Sequence, residues 1–408
     1  MKCRHCQGKL DLSFADLCSA PPSNAYLTTE DLNRCEKWYP LRVFVCSSCW
    51  LVQTEDYAGR EELFSAEYAY FSSYSSSWLT HCEDYVNAVI QRFHLGPQSR
   101  VGEIASNDGY LLQYFQQQRI PCYGIEPTEG TAKVAREKNI QVFGEFFGRA
   151  FAQKLAQEGY EADLLIANNV LAHVPDINDF VGGFAALLKS QGVATFEFPH
   201  LYRLVQGKQF DTIYHEHYSY LSLSAVKKIF DENGLAVFDV EELSTHGGSL
   251  RVYAQLKNTG RYAATERLKQ VLGQEQRQGM LASDFYTDFQ ASIAEIKQAL
   301  LQFLLVAKER KELVVGYGAA AKGNTLLNYS GVRSDLLSYV VDKNPAKQGK
   351  YLPGSRIPIR SEIDLKNDKP RWIVILPWNL REEIATQLAY AQDWGAQFVT
   401  FIPSLAVF

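Results

Sequence analysis

Cys3-Arg4-His5-Cys6 is answered by Cys46-Ser47-Ser48-Cys49. Each Cys-x-x-Cys knuckle sets two thiolates about one turn apart, and two knuckles supply the four sulfurs of a tetrahedral cage suited to Zn2+. Cys3, Cys6, Cys46 and Cys49 are therefore the expected metal ligands. A closed thiolate shell leaves no open position for chemistry, so the expected role is structural. Thirty-nine residues separate Cys6 from Cys46, so the insert must form strands or loops of its own. His5 is expected to face solvent. Cys18, Cys35, Cys82 and Cys122 are left over and are read as buried thiols. Eight cysteines in 408 residues do not make a disulfide scaffold.

The chain is long enough for two or three domains. Its net charge of −5, with no Lys/Arg block, argues against nucleic acid as a partner. No apolar run reaches the roughly 18 residues of a membrane span. No signal-peptide core precedes the first knuckle, so the expected compartment is cytoplasmic.

Three units are expected: a loop-rich metal lobe over residues 1–65, a middle domain over 66–260, and a C-terminal unit over 261–408. A Tyr/Ser-rich stretch that includes Tyr68 and Tyr70 precedes a helix over 76–92. Strand and helix signals then alternate, with strands expected at 100–104, 122–126, 141–143, 163–167 and 193–198. Two more, 235–240 and 249–256, flank Gly247-Gly248 and can pair antiparallel. The alternation predicts a doubly wound parallel α/β sheet. Seven strands ending in a hairpin is the plan of class I methyltransferases. A bridging helix over 291–310 leads to a smaller Rossmann-like series with strands at 313–316, 337–341, 372–376 and 397–401.

Three motifs carry chemistry. In the first, Val101-Gly102-Glu103-Ile104-Ala105-Ser106-Asn107-Asp108-Gly109, a strand ends in an acid and a tight turn of small residues opens a helix. Glu126 ends the next strand, 23 residues after Glu103, where a carboxylate can take ribose hydroxyls. The turn lacks the G-x-G-x-x-G glycines, Glu103 adds negative charge, and Asn168-Asn169 ends the fourth strand. These favour S-adenosylmethionine over a dinucleotide. The expected donor-binding residues are Glu103, Ser106, Asn107, Asp108, Gly109, Glu126, Asn168 and Asn169. In the second motif, Tyr214-His215-Glu216-His217-Tyr218, histidine is the natural general base and a carboxylate can fix its tautomer. Metal ligation and plain structural histidines are the alternatives. In the third, Gly316-Tyr317-Gly318-Ala319-Ala320-Ala321-Lys322-Gly323-Asn324, small residues and Lys322 at a helix N-terminus suit a pyrophosphate. His200, Lys322 and Asn324 are the expected substrate-binding residues.

Taken together, the knuckles, the Glu103–Gly109 turn, Asn168-Asn169-Val170-Leu171-Ala172-His173-Val174-Pro175, Tyr214-His215-Glu216-His217 and the Gly316–Asn324 turn resemble a family. It is that of the nucleotide-sugar C-methyltransferases acting on dTDP-4-keto-6-deoxy sugars. The resemblance implies a zinc lobe, a domain for S-adenosylmethionine and a C-terminal domain that helps hold the nucleotide sugar. It implies active-site roles for Tyr214, Glu216, His217 and His173, and for one of Tyr68 and Tyr70. The expected mechanism takes the C-3 proton on His217, with Tyr214 as the competing base. Glu216 orients the histidine, and His173 or a phenol holds the enolate oxygen. O- or N-methyl transfer, dinucleotide-dependent redox chemistry and a non-catalytic zinc ribbon are the rival readings.

Overall fold

A computed structural model describes residues 1–57 and 71–408 and arranges them around three sheets. Tyr68 and Tyr70 fall outside the described residues.

The middle sheet has seven strands in the order Leu235–Leu243, Ser249–Leu256, Leu188–Pro199, Ala162–Asn168, Val101–Ile104, Cys122–Ile125 and Gln141–Phe143. The five central and edge strands from Gln141–Phe143 to Leu188–Pro199 run parallel. The last strand in sequence, Ser249–Leu256, inserts antiparallel between Leu188–Pro199 and Leu235–Leu243. All four residues of Val101–Ile104 are buried, as a strand covered by helices on both faces requires. The expected strands are all present, within a few residues at their ends. Such a sheet presents the carboxyl ends of its parallel strands to a crevice, where ligands bind.

The N-terminal sheet is Leu12–Ala20, Tyr39–Val45 and Val52–Thr54, closed by the two-residue strand Ser219–Tyr220. That last strand comes from the segment just beyond His217, so the metal lobe and the middle domain share backbone hydrogen bonds. The C-terminal sheet holds six strands around Val314–Tyr317. It contains the four expected strands and two short ones, Ile359–Arg360 and Ala406–Val407.

Helix Phe289–Glu309 is the expected bridge. It buries Phe289, Ile293, Ile296, Leu300, Leu304 and Ala307, a stripe at three- and four-residue spacing. The stripe lies in one core with Phe14, Leu17 and Val43 of the metal lobe and Val314, Val374 and Val399 of the C-terminal sheet. An earlier helix, Glu266–Arg277, packs instead on the middle domain, with Leu268 and Val271 in that core. By packing, the middle unit thus extends past residue 260. Among the described residues, no helix is long and apolar enough to cross a membrane.

Candidate active site and metal centre

The four knuckle sulfurs lie within 4.8 Å of one another. Cys3 Sγ is 3.5 Å from Cys49 Sγ, and Cys6 Sγ is 3.5 Å from Cys46 Sγ. These gaps are far beyond a disulfide bond and close to the roughly 3.8 Å between sulfurs placed about 2.3 Å from one tetrahedral ion. Both knuckles fold as turns: Gln7 N–H bonds Cys3 C=O at 3.0 Å, and Trp50 N–H bonds Cys46 C=O at 2.7 Å. Gln53 donates its amide to Cys3 Sγ at 3.2 Å, the kind of outer contact that orients a ligand. The four thiolates form a structural zinc site. His5 corrects its expectation: it is buried, with Nδ1 2.8 Å from Asn178 Oδ1. Cys18 and Cys35 are exposed rather than buried.

At the crevice of the middle sheet, Ala105, Asn107 and Gly109 all take positive φ, at 57°, 49° and 74°. This tight turn leads into the helix Leu112–Gln117. Glu126 Oε2 accepts Asn107 N–H at 2.9 Å, and Oε1 accepts Thr128 N–H at 2.8 Å. A carboxylate has about four acceptor positions, so capacity remains for ribose hydroxyls. Glu103 is fully buried beside the Tyr110 hydroxyl; burial, then Asp108 and Glu126, hold its pKa well above the usual carboxylate range. A cationic ligand would relieve that. Asp108 Oδ1, both amide atoms of Asn168, and Asn169 Oδ1 are buried with no hydrogen-bond partner among the described residues. These unsatisfied groups fit a ligand carrying an ammonium, a carboxylate and hydroxyls. The Ser106 hydroxyl packs against Gly124, where a side chain would collide with it, and is likewise buried without a hydrogen-bond partner among the described residues. Ser72 N–H bonds Asn107 Oδ1 at 3.0 Å, and the Ser73 hydroxyl bonds Asp108. The end of the aromatic stretch therefore lies on the donor turn.

A turn closed by His217 N–H on Tyr214 C=O, 2.9 Å, folds the second motif. It brings the Tyr214 and His217 rings to a centroid distance of 4.0 Å. The His173 ring meets His217 edge-on at 4.6 Å. Tyr214, His217 and His173 are thus brought together. His217 Nδ1 lies 2.7 Å from Thr212 C=O. A carbonyl can only accept, so Nδ1 carries the hydrogen and Nε2 keeps a lone pair. Burial, then His173, push the His217 pKa well below its ordinary value. Burial likewise lowers His173 to about 4, and its N–H bonds the Glu216 backbone carbonyl.

Two expected roles change. Glu216 does not orient His217: its carboxylate is held by Asn24 Nδ2, at 2.9 and 2.7 Å, and Thr212 C=O orients the imidazole. His173, neutral and with its N–H on Glu216, is not the donor to an enolate oxygen. His215 is buried against Tyr39 and Pro40 carbonyls.

The third motif packs against the second. Thr325 Oγ1 donates to Ile213 C=O at 2.8 Å. Lys322 Nζ bonds Asn379 Oδ1 at 2.8 Å and sits 4.6 Å over the Trp378 ring. Trp378 Nε1 bonds the buried Asp211 carboxylate at 2.7 Å. At this turn a side chain at Gly318 would strike Pro377, and Asp342 accepts Ala319 N–H and Asn344 N–H, both at 2.8 Å. Asn324 and His200 are corrected. Asn324 is fully buried, with its amide on Ser23 C=O at 2.6 Å. His200 is 1% exposed and paired with Glu275 at 2.7 Å.

Sequence reasoning missed Asn24, Thr212, Asp211, Trp378 and His246. His246 Nε2 meets Asn169 Nδ2 at 3.2 Å and its ring packs on Trp78. The Gly247-Gly248 pair was the one local signal near any of them.

Fold, donor turn and thiolate cage together define a zinc-binding, S-adenosylmethionine-dependent methyltransferase. Residues 3–64 match the family described as "Putative zinc binding domain", residues 78–240 "Methyltransferase domain", and residues 244–403 "C-methyltransferase C-terminal domain". The chain is 31% identical over 402 residues to C-methyltransferase NovU of Streptomyces niveus, covering 98% of this chain and 95% of that one. The chain belongs to this C-methyltransferase family. Among solved structures, it is similar to the PH0226 protein of Pyrococcus horikoshii OT3 (14% identity, 46% of this chain and 95% of that one, TM-score 0.38). It is also similar to magnesium protoporphyrin IX methyltransferase of Synechocystis PCC 6803 with bound SAM (18%, 44% and 80%, TM-score 0.33).

Proposed function

We propose that this enzyme methylates C-3 of a dTDP-linked 4-keto-6-deoxy sugar, within branched-chain deoxysugar synthesis. The observation that carries the reading is the His217 imidazole. It is neutral, with Nδ1–H tied to Thr212 C=O and Nε2 left as the base, its ring 4.0 Å from that of Tyr214. A carbon next to a ketone becomes a nucleophile once its proton is removed, and such a base is what that step needs.

S-adenosylmethionine, when bound, supplies an electrophilic sulfonium methyl. Glu126 and the Ala105–Gly109 turn would hold its ribose end, and Asn168, Asn169, Glu103 and Asp108 its charged amino-acid end. His217 Nε2 would take the C-3 proton, leaving the carbon as the nucleophile toward that methyl group. The 4-oxygen carries the developing charge, with the Tyr214 phenol and the Lys322 ammonium as its candidate partners. Each such donor is worth roughly 10²–10³ in rate. Glu216, held by Asn24, would line the sugar side. Lys322 alternatively meets the pyrophosphate.

The relative's C-methyltransferase name supports carbon as the acceptor. The test is a screen of 4-keto nucleotide sugars with 13C-methyl donor. A new quaternary carbon in the product supports the reading. Label on oxygen or nitrogen sinks it in favour of O- or N-methyl transfer.

A further inference from the structure

Arg4 lies between two metal ligands, yet its guanidinium leaves the knuckle. Its side chain is 6% exposed. Nη1 donates to Pro175 C=O at 2.9 Å, and Nη2 to Thr54 C=O and Asp56 Oδ1, both at 2.8 Å. The group also sits 5.2 Å over the Tyr218 ring. Pro175 is two residues beyond His173, and Tyr218 follows His217. Thr54 in turn donates its N–H to Tyr218 C=O and its hydroxyl to His217 C=O, each at 3.1 Å. One guanidinium therefore ties together the two backbone segments that carry the imidazole pair.

The other end of Arg4 is equally fixed. Its N–H bonds Gln53 Oε1 at 2.9 Å, and the same Gln53 donates to Cys3 Sγ. Its neighbour His5 exchanges two 2.8 Å hydrogen bonds with Asn178, three residues past Pro175. The metal cage is thus braced on the loop after His173 through Arg4 and His5, and on the strand beside His217 through Gln53 and Thr54.

We propose that Arg4 is a positioning residue for the His173–His217 pair, so that the zinc knuckle sets the geometry of the base as well as folding its own lobe. The chemical reason is the planar fork: a guanidinium can span two carbonyls at fixed angles, whereas a lysine ammonium on a flexible stem cannot. A shift of about 1 Å at a reacting group can cost on the order of 10²-fold. The catalytic part rests on the function proposed above; the geometric part does not.

The test uses full-length, zinc-loaded, 15N-histidine-labelled protein carrying Arg4→Lys or Arg4→Ala. Both variants are expected to keep the parent's zinc content and donor KM. The His173 and His217 ring-nitrogen signals should shift, kcat should fall about 100-fold, and guanidinium ion should restore part of both in Arg4→Ala. Parent ring signals and parent kcat in Arg4→Lys would overturn the proposal. So would loss of zinc and fold in both variants, which makes Arg4 a folding residue only. If the parent itself acts on no 4-keto sugar, the reading of function fails while the ring signals still decide the role of Arg4.

Discussion

Asn24, from the metal lobe, donates one amide nitrogen to both carboxylate oxygens of Glu216, at 2.9 and 2.7 Å. The loop carrying it is held on the far side by the third unit. Tyr26 hydroxyl donates to Ala319 C=O at 2.6 Å, and Asn324 to Ser23 C=O. All three units therefore meet at the Tyr214–His217 turn. A hydrogen bond to a buried carboxylate contributes about 1.5–3 kcal/mol. Asn24→Ala is accordingly expected to lower kcat/KM roughly ten- to a hundredfold, and Asn24→Asp, which sets two acids together, by more. Parent kinetics in Asn24→Ala would remove Glu216 from the reaction.

His217→Asn keeps a polar group but no base. It should bind donor and sugar as the parent does, yet lose turnover by about 10²–10⁴-fold. Loss of solvent deuterium exchange at C-3, followed by proton NMR without methyl donor, should accompany it. An exchanging, methylating His217→Asn would hand the proton to Tyr214.

The pH dependence has a definite sign. His173 falls to about 4 and His217 is also lowered, both by burial. The ordinary value is near 6.5, so between these limits the unfolded chain binds protons that the folded one excludes. Stability is then full above about pH 6.5 and declines as pH falls toward 4. The working base likewise stays unprotonated at neutrality. The acid limb of kcat should lie below the histidine value, as a pH–rate profile will show. A limb centred near 6.5 contradicts the buried imidazole.

Cys49→Ser, or a strong chelator, should release one zinc ion per chain by elemental analysis. Because Val52–Thr54 pairs with Ser219–Tyr220, the loss should also reach the active site, lowering kcat along with lobe stability. Zinc-free protein with parent kcat would confine the metal to a dispensable appendage.

Glu275 accepts His200 Nε2, Leu223 N–H, Ser224 N–H and the Ser224 hydroxyl at 2.5–2.8 Å, fully buried. Glu275→Ala strands these donors and should cost about 3–5 kcal/mol in denaturant unfolding. KM for the sugar should stay at the parent value at low temperature. A KM change without a stability change would return His200 to the substrate.

Much of this was legible locally. The four cysteines, the Glu103–Gly109 turn and the strands of the middle sheet are written in spacing and in hydrophobic runs of the right length. Ile359–Arg360 and Ala406–Val407 were not, since two residues carry no period. The role given to Glu216 failed for a reason of geometry. Next to His217 in sequence, it lies inside a turn that folds Tyr214 and His217 onto one another and leaves the carboxylate to face Asn24, 192 residues away.

The sequence by itself thus determined the ligand types, the donor turn and the class of fold, because each is set by residues a few positions apart. Which group holds the base, and which groups hold the loops around it, was decided only by the tertiary structure. Thr212 C=O, Asn24 and Arg4 act through contacts between segments that share no local pattern, and their partners are backbone carbonyls or distant carboxylates. Backbone carbonyls are common to every residue type, so nothing in the order of side chains announces them.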